Sequence, residues 1–456
     1  RPVPPRAAAP GAGGARARPR RRAVAAGDLP ADVRRTILEA TSREVEGTRS
    51  AQAMEVIAQN IDRACEDQGA ICQDTGIVNV FVEWGQECRL ESARSLQDVV
   101  DEGVRRAYNH PENKLRASIL ADPAFTRRNT RDNTPCVLSV EMVPGRKVSI
   151  DVAAKGGGSE NKSKFKMMNP SDSIVDWVLE TIPQMGAGWC PPGMLGIGIG
   201  GTAEHCVRLA KESLMEPIDM AELKARGPQN DLEALRIEIF DKVNALGIGA
   251  QGLGGLATVL DVKIKDWPCH AAGKPVAMIP NCAATRHAHF VLDGSGPAKL
   301  EPPDLNLWPK LTYQASADSR RVNLDALTRE DVASWQPGER LLLSGKMLTG
   351  RDAAHKRLSQ LIESGQPLPP GLDFKNRVIY YVGPVDPVKG EAVGPAGPTT
   401  ATRMDKFTDM MLGKTGLIAM VGKAERGPEA VASISKHKAA YLMAVGGSAY
   451  LVSKAI

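Results

Sequence analysis

Five stretches of this sequence set thiols, carboxylates, histidines or cations beside glycines and prolines. These residue types serve as ligands, acid–base groups and anion receptors, and Gly or Pro beside them lets a backbone hold them in place. The first, Cys72-Gln73-Asp74-Thr75-Gly76, puts a thiol, an amide and a carboxylate within three residues at the mouth of an apolar run. Taken alone, the pattern reads first as a surface turn with a buried cysteine. The second is Lys155-Gly156-Gly157-Gly158-Ser159-Glu160-Asn161-Lys162, whose glycines let backbone N–H groups approach an anion or simply leave a flexible loop. In the third, Gly188-Trp189-Cys190-Pro191-Pro192-Gly193, two prolines fix the chain just after the thiol. The fourth is Cys269-His270 with Pro280-Asn281-Cys282-Ala283-Ala284-Thr285-Arg286-His287-Ala288-His289, where histidines serve as ligands, acid–base groups or satisfied core residues. The fifth gathers Thr349-Gly350-Arg351-Asp352-Ala353-Ala354-His355, Gly397-Pro398-Thr399-Thr400, Arg403 and Lys423. Three cations among hydroxyls make a receptor for carboxylates; the bland alternative is surface charge with a helix cap at Thr400.

The third stretch runs into a glycine alternation from Gly196 to Gly201, read as a loop before a helix. It mimics a dinucleotide fingerprint, but no strand–loop–helix–strand unit with a placed acidic residue supports nucleotide binding. A helix N-terminus that holds an anion or packs closely is the expectation.

Elements that position these stretches follow from periodicity. Asp28-Leu29-Pro30 reads as a helix entry, followed by Val33, Ile37 and Leu38 at helical spacing. Met54, Ile57, Ala58 and Ile61 mark a second helix. Strands are expected at Ile77–Val82, Val137–Val143 and Val148–Ala153, the last two paired as a hairpin across Pro144-Gly145-Arg146. Helices are expected over 170–185 and over 202–215, the latter opened by Thr202. A Pro-rich stretch, Glu301-Pro302-Pro303-Asp304, marks a boundary. Beyond it, strands near 341–344, 378–382, 417–421 and 441–445 alternate with helices near 351–364, 402–412 and 427–438, the pattern of a small α/β domain.

Charge narrows the function classes. The net charge of +5 comes from residues 1–27, which hold seven Arg and no acidic residue; the remainder carries 51 basic and 53 acidic residues. A near-neutral body gives no case for nucleic acid binding. No apolar run approaches the ~18–20 residues that cross a bilayer. Segment 1–27, rich in Arg, Ala, Pro and Gly, reads as a disordered tail and a possible transit peptide, which predicts the mitochondrial matrix or a plastid; without that role the protein is expected in the cytoplasm. The eight cysteines include no Cys-x-x-Cys pair, which argues against a zinc ribbon and a secreted disulfide framework.

Six of these segments together resemble class I fumarases, the iron–sulfur hydro-lyases related to two-subunit tartrate dehydratases. They are CQDTG at 72–76, KGGGSENKSKFKMMNPSD at 155–172, GAGWCPPGMLGIGIGGT at 186–202, PNCAATRHAHF at 280–290, LTGRDAAHKR at 348–357 and GPTTATRMDKFTD at 397–409. The resemblance implies an α/β (α+β) two-domain fold. Residues 28–295 would form a larger cluster-binding domain and 296–456 a smaller swivelling α/β domain, in a homodimer. It implies reversible hydration of fumarate to (S)-malate at a [4Fe–4S] cluster held by Cys72, Cys190 and Cys282, leaving one iron open as a Lewis acid. Cys65, Cys88, Cys136, Cys206 and Cys269 receive no role. By resemblance, Asp74 is the acid at the departing hydroxyl and Thr399 the C–H base. Gln73, Arg116, the Gly156–Gly158 loop with Gly157, His270, Arg351, Arg403 and Lys423 surround a small dicarboxylate. The family usually continues past the segment matching Gly446–Ile456, so either the sequence is truncated there or the natural protein is short, in which case an exposed sheet edge is expected; Arg1 without an initiator Met points to an incomplete start. Rival readings are a tartrate or mesaconate hydro-lyase, a non-catalytic iron–sulfur sensor and a nucleotide binder.

Overall fold

The computed structural model describes residues 29–111, 115–298, 300, 316–388 and 390–456. Two mixed four-stranded sheets build the N-terminal domain. The first, in the order β2-β1-β3-β8, consists of β1 (Ile77–Gly85), β2 (Val137–Val143), β3 (Val148–Lys155) and β8 (His287–Leu292). The second, in the order β4-β7-β5-β6, consists of β4 (Lys164–Met168), β5 (Gly193–Gly200), β6 (Val259–Trp267) and β7 (Lys274–Asn281). The expected hairpin of 137–143 with 148–153 does not form. β1 lies between them, parallel to β2 and antiparallel to β3. Turn chemistry at Pro144-Gly145 reverses the chain, but apolar β1 is the strand buried in the middle, with Val78, Val80 and Val82 covered.

Helices cover these sheets where the periodicity places them. α1 (Ala31–Arg43) and α2 (Arg49–Glu66) bury Val33, Ile37, Met54, Ile57, Ala58 and Ile61. The entry residue Asp28 lies outside the described residues. α3 (Leu96–Tyr108) opens on a Ser95–Asp98 capping box. The expected glycine loop after Lys155 is instead a single helical turn, α4 (Gly157–Glu160). α5 (Ile174–Met185) starts at an N-cap, Ser173, four residues later than expected. The remaining helices of this domain are α6 (Ala203–Ser213), α7 (Met220–Arg226) and α8 (Asp231–Ala245).

The Gly196–Gly201 alternation is not a loop: most of it is β5. A β-carbon on Gly196 or Gly198 would strike the carbonyl oxygen of Ala210 or Cys206 on α6. These glycines let a helix backbone approach a strand, so close packing accounts for the motif and nucleotide binding does not. Beneath the same sheet, Lys263, Asp261 and Arg236 are buried with Asp219 in one ion network.

In the C-terminal domain β9 (Arg320–Asn323) and β10 (Leu341–Ser344) pair in parallel, and β11 (Leu348–Thr349), β12 (Val378–Tyr380), β13 (Ala419–Gly422) and β14 (Ala440–Met443) form a parallel sheet in that order. α9 (Arg329–Ser334), α10 (Asp352–Glu363), α11 (Thr408–Thr415) and α12 (Pro428–Lys436) accompany them, and residues 401–407, expected as helix, form a 3-10 segment before α11. The Pro-rich stretch at 301–304 lies outside the described residues. The last helix, α13 (Ala449–Lys454), packs on α2 in the N-terminal domain. There Asn60, fully buried, accepts from the N–H groups of Tyr450 and Leu451 and donates to the Ile71 carbonyl.

Candidate active site

Strand direction explains why distant motifs converge. β1 and β8 begin, and β3 ends, at one edge of the first sheet, because both neighbours run antiparallel to β3. The loops 72–76, 156–160 and 282–286 therefore lie together. In the second sheet β5 begins and β7 ends at one edge, with Met194 opposite Asn281. That brings Cys190, just before β5, beside Cys282, just after β7. The chain from β7 to β8 crosses between the sheets, so Cys282 and Arg286 sit at their junction. Facing them are the C-terminal ends of parallel strands: Arg351 after β11, Gly383 after β12 and Lys423 after β13. Residues just beyond strand carboxyl ends are the usual ligand-binding positions of α/β sheets.

The three thiols are free, and Cys282 lies within electrostatic reach of both Cys72 and Cys190. Burial pushes the Cys72 thiol up, partly offset by Arg286. The Cys282 thiol is pushed up by burial and by Cys190. Cys190 occupies a left-handed conformation at φ 62° and accepts at Sγ from Nζ of Lys423. Burial alone would lower the Lys423 ammonium, but Cys190, Cys72 and Cys282 around it hold it above its ordinary value. Among the described residues no three His, Cys, Asp or Glu side chains are grouped to share one metal ion.

Asp74 lies beside these thiols. Its Oδ1 accepts from the Gly76 N–H at 3.2 Å and its Oδ2 from the Gly158 N–H at 3.3 Å. Burial would raise its carboxyl, but Arg286, Arg116 and these two N–H groups outweigh burial and hold it below the ordinary range. A β-carbon on Gly157 would stand 3.5 Å from Asp74 Oδ2, and one on Gly158 3.9 Å from Lys423 Nζ. The glycine turn thus leaves the ground between carboxylate and ammonium clear. Gln73 is buried against Gly397, next to Thr399. Thr399 is buried and pinned through its backbone, its N–H donating to Tyr381 and its carbonyl accepting from Lys423. Arg351 is lowered by burial and by the like charges of Arg116 and Arg403.

The sequence model of the fumarate hydratase (fumerase) family matches residues 22–291, and that of the fumarase C-terminus matches residues 294–456. This chain belongs to the class I fumarate hydratase family. It is 30% identical to the aerobic class I fumarate hydratase of Escherichia coli K12 over 413 residues, covering 87% of this chain and 74% of that one. It is 29% identical to fumarate hydratase 2 of Leishmania major over 92% of this chain and 76% of that protein. A putative L(+)-tartrate dehydratase subunit alpha of Methanocaldococcus jannaschii is 37% identical over 268 residues, 57% of this chain and 90% of the subunit. The chain is a hydro-lyase of this family.

Within this family member the structure brings together Cys72, Gln73, Asp74, Arg116, Gly157, Cys190, Cys282, Arg351, Thr399, Arg403 and Lys423. It does not bring His270 to them. His270 is exposed in the turn before β7, while Cys282 follows the other end of that strand, about 26 Å away at strand rise. Two site residues escaped the sequence reading. Arg286 is buried at the sheet junction, and its Nε and NH1 find no protein acceptor. Lys155 is buried, with Nζ donating to Ser159, and burial lowers it to about 8. Both stand in segments already notable for Cys282 and Gly156–Gly158; only burial separates them from surface cations.

Proposed function

We propose that the protein hydrates fumarate to (S)-malate reversibly, with a [4Fe–4S] cluster held by Cys72, Cys190 and Cys282. The observation that supports this most is three free thiols on three separate loops, beside a buried lysine and facing Asp74. A four-iron cluster takes one thiolate per iron, so its ligands need not crowd round one ion. The donor chemistry fits: thiolate ligands carry negative charge, and Lys423, Arg286 and Lys155 provide buried positive charge around them. Bound there, the cluster would supply an open iron as Lewis acid to the substrate oxygen.

The chain's own residues do the rest. Asp74 exchanges a proton at the reacting oxygen, placed by the N–H groups of Gly76 and Gly158. Thr399 Oγ exchanges the proton at carbon, its backbone fixed to Tyr381 and Lys423. Charge developing on the substrate carboxylate is met by Arg351, Arg403, Arg116 and Lys423, cations in place before the reaction. Gln73 lines the same cleft. We place the domain boundary at 295/296, with closure of the swivelling C-terminal domain excluding water.

We also propose a homodimer, in which His270 reaches substrate only if a second copy supplies it, and import directed by residues 1–27. The higher identity to the tartrate dehydratase subunit favours a second reading, a tartrate hydro-lyase.

The deciding experiment is anaerobic reconstitution with iron and sulfide, then hydration assays with fumarate and dehydration assays with L-malate and L(+)-tartrate. Fumarate turnover destroyed by air and restored by iron with reductant is the expected result. Turnover of tartrate alone would replace the substrate, and failure to take up iron would remove the cluster.

A further inference from the structure

We infer that Gly383 is a positioning residue that sets two substrate-binding arginines, one from each domain. This rests on the reading that Arg116 and Arg351 bind a substrate carboxylate. Gly383 follows β12 at the C-terminal edge of the parallel sheet. The Arg116 guanidinium crosses from the N-terminal domain and donates through NH1 to the Gly383 carbonyl. The Arg351 guanidinium lies against the Gly383 α-carbon: a β-carbon there would stand 2.5 Å from Cζ, 2.6 Å from Nε and 2.9 Å from NH2.

The reason for glycine here is space. Gly383 does not adopt the left-handed conformation, so its backbone would accept any L-residue. Gly394 differs, because a β-carbon there would meet the backbone carbonyls of Val385 and Asp386 at 2.6 and 2.9 Å. Backbone cannot yield cheaply, whereas the end of an arginine side chain can. Alanine at 383 would therefore displace the Arg351 guanidinium and leave the fold alone. Restoring ordinary contact at ~3.5–4 Å requires a shift of about 1 Å. A misplacement of that size at a substrate-positioning group costs up to about a hundredfold in kcat/KM.

Like charge makes this support necessary. Arg116 and Arg403 both repel Arg351. Arg403 has Asp352 at 3.6 Å, but among the described residues no carboxylate lies within 4.0 Å of the Arg351 or Arg116 guanidinium. Asp74 attracts both from further off, and one residue sets where they rest: the Gly383 carbonyl takes Arg116 and its bare α-carbon leaves room for Arg351.

The test uses reconstituted full-length enzyme as parent, Gly383→Ala, Arg351→Ala and the double variant, read by iron content, thermal melting and KM and kcat for fumarate. We expect Gly383→Ala to match the parent in melting and iron, and to raise KM about ten- to hundredfold with a smaller change in kcat. Added to Arg351→Ala, it should have no further effect, since the group it displaces is gone. An equal loss in both backgrounds would show that Gly383 acts through the backbone and would overturn the inference. So would unchanged KM in Gly383→Ala beside a raised KM in Arg351→Ala. Unchanged KM in Arg351→Ala would instead defeat the reading of Arg351 as a carboxylate ligand, and the inference with it.

Discussion

Asp74 and the three thiols sit on short loops tied to paired strands, whereas Arg351, Arg403 and Lys423 reach the site on long side chains from the ends of a parallel sheet. In the N-terminal domain the backbone itself is fixed. The Ile71 carbonyl before Cys72 is held by Asn60 at 2.9 Å, and the Pro191 carbonyl after Cys190 by both nitrogens of Gln251 at 2.7 and 2.8 Å. In the C-terminal domain the backbone is held as well, Thr399 by Tyr381 and Lys423, but the cations reach out on long side chains whose tips are set by neighbours: Cys190 for Lys423, Asp352 for Arg403 and Gly383 for Arg351. A cluster needs ligands whose spacing is rigid. A substrate that must enter and leave is better met by side chains that move. Under the proposed function, the fixed loops would hold the cluster and the long cations would meet the substrate.

That division predicts a graded set of losses. Cys190→Ser removes one of the three proposed cluster ligands. Iron content should fall well below the parent after anaerobic reconstitution, and hydration should fall to background. Retained iron with activity would break the comparison at its strongest point. Asp74→Asn should keep the brown cluster spectrum and lose about 10²–10⁴-fold in kcat, the usual contribution of a proton-transferring group. Near-normal turnover would take Asp74 out of the chemistry.

The next losses concern stability. Asn60→Ala strips partners from the Ile71 carbonyl and from the Tyr450 and Leu451 N–H groups in a buried place. A loss of about 2–4 kcal/mol is expected in denaturant unfolding. Because α13 joins the domains here, activity should fall at denaturant concentrations that the parent tolerates. Gly198→Ala forces a β-carbon into the Cys206 carbonyl and should cost about 1–3 kcal/mol, with KM unchanged. A raised KM would show the glycine strand to be part of the site.

The smallest effect is with acid. Burial would raise the Asp219 carboxyl, but hydrogen bonds from Arg236 and Lys263 bring it down to about 2. A depressed carboxyl contributes stability above its unfolded pKa, near the ordinary 3.8, and loses it as pH falls through about 2. Asp219→Asn should therefore flatten the decline in melting temperature between about pH 4 and pH 2. An unchanged decline would assign acid unfolding to other carboxylates.

The sequence by itself determined the helices that bury Val33, Ile37, Met54 and Ile57, because their spacing matches one helix face. It also determined the alternating α/β character of the second domain. The ligand, acid–base and cation candidates were legible as Cys, Asp, Thr and Arg beside Gly or Pro, and their assignment came with the family motifs. Tertiary structure decided what periodicity cannot encode. β1 displaced the apparent 137–153 hairpin because strand order follows burial in three dimensions, and chain proximity is only one contributor. The Gly196–Gly201 alternation became a strand because α6, folded against it, leaves no room for side chains. Arg286 and Lys155 became site residues only through burial, which no residue type announces. His270 stayed apart because an eight-residue strand separates it from Cys282, and a strand is the most extended path a chain can take.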